Sequence, residues 1–182
     1  MNKNVRYYMN DNLEYVIEDY NNAKTFSSFL PSVAGKTGKP LWAYYVNRGQ
    51  CMSTIGVNNK LHQAMEFFPA NAAYRETPVQ GFRTFIKVLN GENCVCYEPF
   101  RHPVHAKEYM LEQRMYITPH DLRIEEFNKT LGLKFEVEYC TLPNESFGSL
   151  IRKLTITNLG KESIWSKMIT DCLWSFLTVR KI

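Results

Sequence analysis

The side chains best suited to hold a polar ligand stand at two places in this sequence. The segment Asn47-Arg48-Gly49-Gln50 sets amide and guanidinium groups between two apolar runs. Arg83 supplies another guanidinium, either for a sugar or phosphate ligand or for a buried carboxylate. We predict Asn47, Arg48, Gln50 and Arg83 as substrate-binding residues, with Arg48 foremost because the tip of a hairpin is exposed.

A second group of residues has some features of a metal site. Cys94 and Cys96 would share one face of a strand, and His102 and His105 follow closely. A single residue between the two cysteines is a shorter gap than structural zinc sites use. These residues are therefore either metal ligands or two core thiols beside surface histidines, and we predict no metal.

The sequence shows no catalytic signature. Glu66, in the apolar segment M-E-F-F, is either a carboxyl group of raised pKa or one that faces solvent or pairs with an arginine. There is no phosphate-binding loop, nucleophile elbow or dinucleotide fingerprint. No two acidic residues stand out as a glycosidase pair. We therefore predict no catalytic residue in this chain.

A predicted β-hairpin positions the polar segment 47–50. Pro40 precedes the apolar run 41–46, which is typical of a strand covered on both faces. Gly49 is free to take a positive φ at the reversal, and residues 51–57 form the returning strand. Such a hairpin would hold its polar tip rigidly against a ligand or a partner surface.

Short strands separated by turns account for most of the remaining chain. Residues 81–88 and 133–140 alternate apolar and polar side chains, as strands with one wet face do. The pair Asn90-Gly91 favours a hairpin, and residues 109–117 are ambiguous between helix and strand. Further strands are predicted at residues 13–17, 65–68, 93–97 and 150–157. About ten short strands without a long helix predict an all-β fold, an antiparallel β-sandwich.

Composition and charge limit the classes of partner. The chain has 182 residues and is 45% hydrophobic, enough for a folded core. Its net charge of +4 comes from scattered residues, so we predict no nucleic-acid partner. The N-terminus lacks an apolar segment of signal-peptide length, and no stretch is long enough to span a membrane. With five irregularly spaced cysteines, we expect a cytoplasmic protein with reduced thiols and no membrane partner.

Several longer strings carry a resemblance to a known family. They lie within about residues 7–163 and read K-T-F-S-S-F-L-P-S-V-A-G, P-L-W-A-Y-Y-V-N-R-G-Q, M-E-F-F-P-A-N-A-A-Y, G-F-R-T-F-I-K and L-T-I-T-N-L-G. This region resembles the N-terminal part of the inverting glycoside phosphorylases of glycoside hydrolase family 94, which includes cellobiose phosphorylase. Within that family it is most similar to the 1,2-β-oligoglucan phosphorylases.

The resemblance implies a supersandwich of the galactose mutarotase type at residues 1–163. In that family the sandwich precedes an (α/α)6 barrel that carries the general acid and the phosphate site. The chain would then be a truncated, non-catalytic part of an enzyme that phosphorolyses β-linked glucans or cellobiose-type disaccharides to α-glucose 1-phosphate. The parent enzyme would use inorganic phosphate as co-substrate, without organic cofactor or metal. Its partners would be a β-glucan or oligosaccharide and the missing barrel.

Residues 164–182 depart from the family pattern. The codons CTT-ACC-GTA-CGG-AAA would encode residues 177–181, and a shift by one base gives Leu-Pro-Tyr-Gly-Lys, which resembles the family near this point. We interpret 164–182 as a divergent tail that is out of frame, and we expect it to pack poorly after about Gly160. Apolar surface left without its neighbours would promote self-association.

Two other functions remain open. A stand-alone carbohydrate-binding β-sandwich module would use Trp42, Tyr44 and Tyr45 for stacking. Exposure of these aromatics would favour the module, whereas their burial would favour the phosphorylase domain. A mutarotase-like epimerase would share the sandwich, but its chemistry needs a histidine positioned beside a carboxylate. The sequence context of the four histidines suggests no such pair.

Overall fold

The computed structural model describes residues 5–30, 33–90, 93–161, 164–171 and 178–181. Most of the elements in these ranges are β-strands. They are β1 (Arg6–Met9), β2 (Tyr15–Glu18), β3 (Ser27–Leu30), β4 (Leu41–Val46), β5 (Met52–Val57), α1 (Ala70–Gln80), β6 (Arg83–Asn90), β7 (Asn93–Tyr97), β8 (Leu111–Ile117), β9 (Asp121–Asn128), β10 (Leu133–Thr141), β11 (Leu150–Asn158), β12 (Trp165–Asp171) and β13 (Thr178–Lys181). None of the helices in these ranges combines the length and apolar content that a membrane span requires.

The strands form three antiparallel sheets. The largest has the order β1-β2-β8-β9-β10-β11, the second β13-β12-β6-β7, and the third β3-β4-β5. Many strands pair with their neighbours in sequence, as β8, β9 and β10 do, because antiparallel strands can be joined by short turns. The sheets are therefore built largely from hairpins and meanders.

One apolar core joins the three sheets. In β10 every second side chain from Leu133 to Tyr139 is buried, while the charged residues between them are partly exposed. The same buried cluster contains Tyr45 of β4 and Ile86 of β6, so all three sheets contribute to it. The predicted all-β antiparallel sandwich is confirmed, and so is the wet outer face of residues 133–140.

The segment before β6 differs from the sequence prediction. The strand predicted at residues 65–68 is wrong, because this segment has no regular secondary structure. The helix Ala70–Gln80 follows, and it was not predicted from the sequence. Only Ala73 and Thr77 of α1 are buried, and Pro78 lies inside the helix. Such a helix lacks the wide apolar stripe by which amphipathic helices are recognised in a sequence.

The predicted hairpin at 40–57 is confirmed. Strands β4 and β5 pair antiparallel, with an irregularity in register between Tyr44 and Tyr45. Gly49 takes the positive φ of 56° that the sequence predicts for the reversal. The ambiguous segment 109–117 forms β8, and β6 pairs with β7 up to Asn90 and Asn93. Gly91 of the predicted turn lies outside the described residues.

Part of the predicted tail belongs to a sheet. Strand β12 pairs antiparallel with β6 from Trp165–Leu89 to Asp171–Arg83, and with β13 on its other side. The expectation that the chain packs poorly after about Gly160 is therefore wrong for residues 165–171. The domain boundary at 163 and the out-of-frame origin of the tail stay predictions.

Candidate functional site

A cleft of about 410 Å³ opens where the tip of the β4–β5 hairpin meets α1 and the segment after β7. Three of the predicted substrate-binding residues, Arg48, Gln50 and Arg83, line this cleft. Two further arginines, Arg75 from α1 and Arg101 from the segment after β7, line it as well. Its volume falls in the range typical of small-molecule sites.

The polar hairpin tip is mostly buried, contrary to the expectation that it is exposed. Asn47 is 0% exposed and Gln50 is 3% exposed. The Asn47 amide donates to the carbonyl oxygens of Tyr20 (2.9 Å) and Lys24 (3.0 Å). Its amide oxygen accepts from the backbone N–H of Phe26 (2.7 Å). Asn47, the fourth predicted residue, thus anchors the tip to the chain before β3 and does not line the cleft.

Arg48 is half-buried and connects the hairpin tip to two other elements. Its Nη1 donates to the carbonyl oxygen of Asn21 at 2.7 Å and lies 3.3 Å from the Tyr74 hydroxyl oxygen. The guanidinium carbon lies 4.9 Å from the centroid of the Tyr74 ring, a cation–π contact. These contacts fix the guanidinium of Arg48 against α1 at the wall of the cleft.

Gln50 stands where the three sheets meet. Its Oε1 accepts a hydrogen bond from Arg152 of β11 at 2.5 Å and lies 3.5 Å from the hydroxyl of Thr84 on β6. Its backbone carbonyl accepts from the Tyr139 hydroxyl of β10 at 2.8 Å. Because Arg152 can only donate, the amide atom of Gln50 that faces it must be the oxygen. Within the described part of the chain, Nε2 of Gln50 is buried and has no hydrogen-bond partner.

Arg83 forms a bidentate ion pair with Glu98. Its Nε and Nη2 donate to the two carboxylate oxygens at 2.6 Å and 2.9 Å, and its guanidinium stacks on Phe85. Arg101 lies on the other side of the same carboxylate at 3.8 Å. Of the two roles that the sequence leaves open for Arg83, the structure displays the pairing with a carboxylate.

The electrostatic balance of the cleft is strongly positive. Among the described residues, four arginines and one carboxylate line it, an excess of three positive charges without counting its two histidines. Arg75 is exposed, and among the described residues it forms no hydrogen bond or ion pair. Burial, together with the positive charge of Arg48 and the neighbouring His105, lowers the pKa of His102 to about 4. His102 is therefore neutral at pH 7.

A buried hydrogen-bond network holds two segments that line the cleft, the hairpin tip and the segment after β7. The amide oxygen of Asn21 accepts from Gly49 N (2.9 Å), and its nitrogen donates to Gln113 Oε1 (2.9 Å). Gln113 Nε2 donates in turn to Glu126 (2.7 Å), which also accepts from the backbone N–H of Phe100 (2.7 Å). Burial raises the pKa of Glu126 to about 7, although these hydrogen bonds oppose the shift.

Two non-glycine residues beside the cleft have left-handed backbone conformations. Phe100 lines the cleft with φ 66°, and Cys51 follows Gln50 with φ 68°. Both are buried, and a bulky residue in this region is a conformational outlier. Strained backbone of this kind costs on the order of 1–3 kcal/mol per residue and is concentrated at functional sites.

The metal-like group does not assemble into a metal site. Cys94 and Cys96 are exposed on β7, so the expectation of core thiols is wrong. His102 and His105 lie with ring centroids 6.1 Å apart. Across the described ranges, no group of three histidine, cysteine or acidic residues could hold a metal ion. Glu66 is exposed, which is the solvent-facing alternative of the sequence analysis.

The three predicted stacking residues differ in exposure. Tyr44 and Tyr45 are buried, at 5% and 3% exposed, and Trp42 is half-buried. Tyr45 belongs to the main core, and Tyr44 packs in a smaller cluster against α1. The two tyrosine rings are therefore used mainly for packing. Phe29 and Phe67, which contact the Trp42 and Tyr44 rings, are 51% and 43% exposed.

Sequence reasoning missed Arg75 and Arg101, and it considered His102 only as a metal ligand or a surface histidine. Arg75 lies in α1, and the helix-forming residues of the segment A-N-A-A-Y-R-E could have indicated that helix. Arg101 and His102 stand between Pro99 and Pro103, where only the proline-bounded loop offered a signal.

The fold and the site define an antiparallel β-sandwich with a basic cleft. No protein-family model matches this chain, and no curated protein matches it significantly.

Proposed function

We propose that this chain is the non-catalytic β-sandwich of a cytoplasmic glycoside phosphorylase that acts on β-linked glucans or cellobiose-type disaccharides. The main support for this proposal is the set of long, aromatic-rich strings within about residues 7–163 that resemble that family. The complete enzyme splits a terminal linkage with inorganic phosphate and releases α-glucose 1-phosphate. The general acid and the phosphate site belong to a barrel domain outside this chain.

Burial of the aromatic residues supports a structural domain over a free-standing module. A module that binds glucan by stacking presents aromatic faces to solvent, whereas Tyr44 and Tyr45 are buried. The half-buried Trp42 donates from Nε1 to the carbonyl oxygen of Asn59 at 3.2 Å. These rings stabilise the β4 strand and its packing on α1, as expected of a domain that supports a larger enzyme.

The test uses the DNA that continues beyond the codon for Ile182. We expect it to encode a long helical barrel in a shifted frame. A one-base correction should then yield a longer protein that releases α-glucose 1-phosphate from 1,2-β-oligoglucans or cellobiose when phosphate is present. The 182-residue chain should release none above background. Turnover by the short chain, or a corrected protein without phosphorolysis, would contradict the proposal.

One observation favours the stand-alone carbohydrate-binding module as a second candidate. Phe29 and Phe67 form a half-exposed aromatic cluster with the rings of Trp42 and Tyr44. Affinity electrophoresis in gels containing a β-glucan tests this surface. Retardation that Phe67→Ala abolishes would support the module. Equal mobility with and without glucan would exclude it.

A further inference from the structure

We propose that the basic cleft binds the phosphate group of a small molecule, either inorganic phosphate or a hexose phosphate. Its lining includes the guanidinium groups of Arg48, Arg75, Arg83 and Arg101. This site belongs to the sandwich itself and is independent of the phosphorylase proposal, which places its phosphate site in another domain.

The charge and the hydrogen-bond donors of the cleft match a phosphate group. Guanidinium groups match phosphate oxygens with paired, charge-assisted hydrogen bonds. Glu98 pairs with Arg83 and neutralises one positive charge, so the described part of the lining keeps an excess of three. Arg75 reaches the cleft from the exposed side of α1, without a protein partner in the described ranges. A phosphate carries between one and two negative charges at neutral pH, which this excess would balance.

A buried side chain of the cleft has an unsatisfied hydrogen-bond donor. Gln50 is 3% exposed and lines the cleft, and its Nε2 has no partner among the described residues. A buried donor without an acceptor has given up its hydrogen bond to water without a replacement, which is unfavourable. Arg152 keeps the opposite side of the amide occupied, so this donor cannot be satisfied by turning the side chain over. A small shift of the Gln50 side chain toward the cleft would let an oxygen-rich ligand supply the missing acceptor.

Size and wall chemistry limit the ligand to a small molecule. A cleft of about 410 Å³ accommodates a phosphate with a sugar ring, but not a folded partner or a polymer segment of many residues. The lining includes the aromatic rings of Tyr74 and Phe82, which offer apolar faces to a sugar ring. Neutral glucose lacks the negative charge that the four arginines would recognise.

Isothermal titration calorimetry with inorganic phosphate, glucose 6-phosphate and glucose tests the proposal. We expect saturable binding of at least one phosphate compound below about 10 mM and much weaker binding of glucose. Arg75→Gln removes an exposed side chain that has no described partner, so the variant should fold normally and bind about tenfold more weakly. Lys60→Gln, an equal change of charge at an exposed residue outside the cleft, should leave the affinity unchanged.

Histidine NMR signals give a readout that nonspecific binding does not reproduce. A bound phosphate favours the charged imidazole, so it should raise the pKa of His102, which burial, Arg48 and His105 lower to about 4. The exposed His62, outside the cleft, should not respond. No saturable binding, equal affinity of glucose, an unchanged affinity of Arg75→Gln, or equal responses of His62 and His102 would each overturn the proposal.

Discussion

Replacing Glu126 by glutamine should change how the stability of the protein depends on pH. Glu126 is 0% exposed, and burial raises its pKa from 4.5 to about 7. Between these values the folded protein keeps a proton that the unfolded chain has released. The contribution of Glu126 to stability is therefore full below pH 4.5 and is lost as the pH rises through 7. At 1.36 kcal/mol per pKa unit, this loss amounts to about 3 kcal/mol.

Glutamine has the shape and hydrogen-bonding pattern of the protonated carboxyl group. Its oxygen can accept from the N–H groups of Phe100 and Gln113. The Tyr97 hydroxyl donates to the other carboxylate oxygen of Glu126, and in the variant the amide nitrogen donates to that hydroxyl instead. Glu126→Gln should therefore keep the network at every pH. Relative to the wild type, the variant should gain about 3 kcal/mol between pH 4.5 and 8.

Urea unfolding curves at several pH values between 4.5 and 8 measure this difference. His102 contributes with the opposite sign, because its lowered pKa gives stability that is lost as the pH falls below 6.5. Both proteins contain His102, so its contribution cancels when the two curves are subtracted. Parallel curves for wild type and Glu126→Gln would refute the reasoning.

Glu125→Gln is the matched control on the same strand. Glu125 lies on the outer face and pairs with Lys134 at 2.7 Å, while Arg114 and Arg123 lie 3.6 Å away. Each of these partly exposed cations keeps another acidic partner: Arg114 has Glu18, Arg123 has Glu14, and Lys134 has Glu136. Removing the charge of Glu125 should therefore cost about 1–3 kcal/mol at neutral pH. At neutral pH a neutral amide should thus raise the stability at position 126 and lower it at position 125.

Three further substitutions or modifications test the packing directly. Asn47→Ala deletes the three hydrogen bonds of a buried side chain at the hairpin tip and should lower the free energy of unfolding by about 3 kcal/mol in urea titrations. Gly56→Ala sets a methyl group into the Trp42 indole and should cost about 1–3 kcal/mol, visible as a lower thermal midpoint. In the native chain a disulfide reagent should modify the exposed Cys94 quickly, whereas Cys51, whose burial raises its thiol pKa, should react only after unfolding.

Local patterns in the sequence were sufficient to predict much of the fold. The period-two alternation of residues 133–140 directly reports which side chains enter the core, since successive side chains of a strand point to opposite faces. Gly49 likewise marks a reversal that needs a positive φ. These signals depend only on neighbouring residues, so no knowledge of the tertiary structure was needed.

Helix α1 could not be recognised in the same way. Its contact with the sandwich depends chiefly on Ala73 and Thr77, which gives no apolar stripe in the sequence. The preceding M-E-F-F segment was mistaken for a strand because short apolar runs do not distinguish a strand from a loop that packs by a few side chains. Arg75, an exposed cation of the cleft, was missed together with its helix.

The burial of the hairpin tip explains why the cleft itself was hidden. Polar residues at a turn predict exposure, yet the partners of this tip lie far away in sequence: Asn47 bonds a residue 27 positions distant, and Gln50 one that is 102 positions distant. Only the folded chain reveals them. Because these bonds fix the tip before any ligand arrives, the arginine beside it is already oriented. An anion that binds there would lose little affinity to the ordering of side chains.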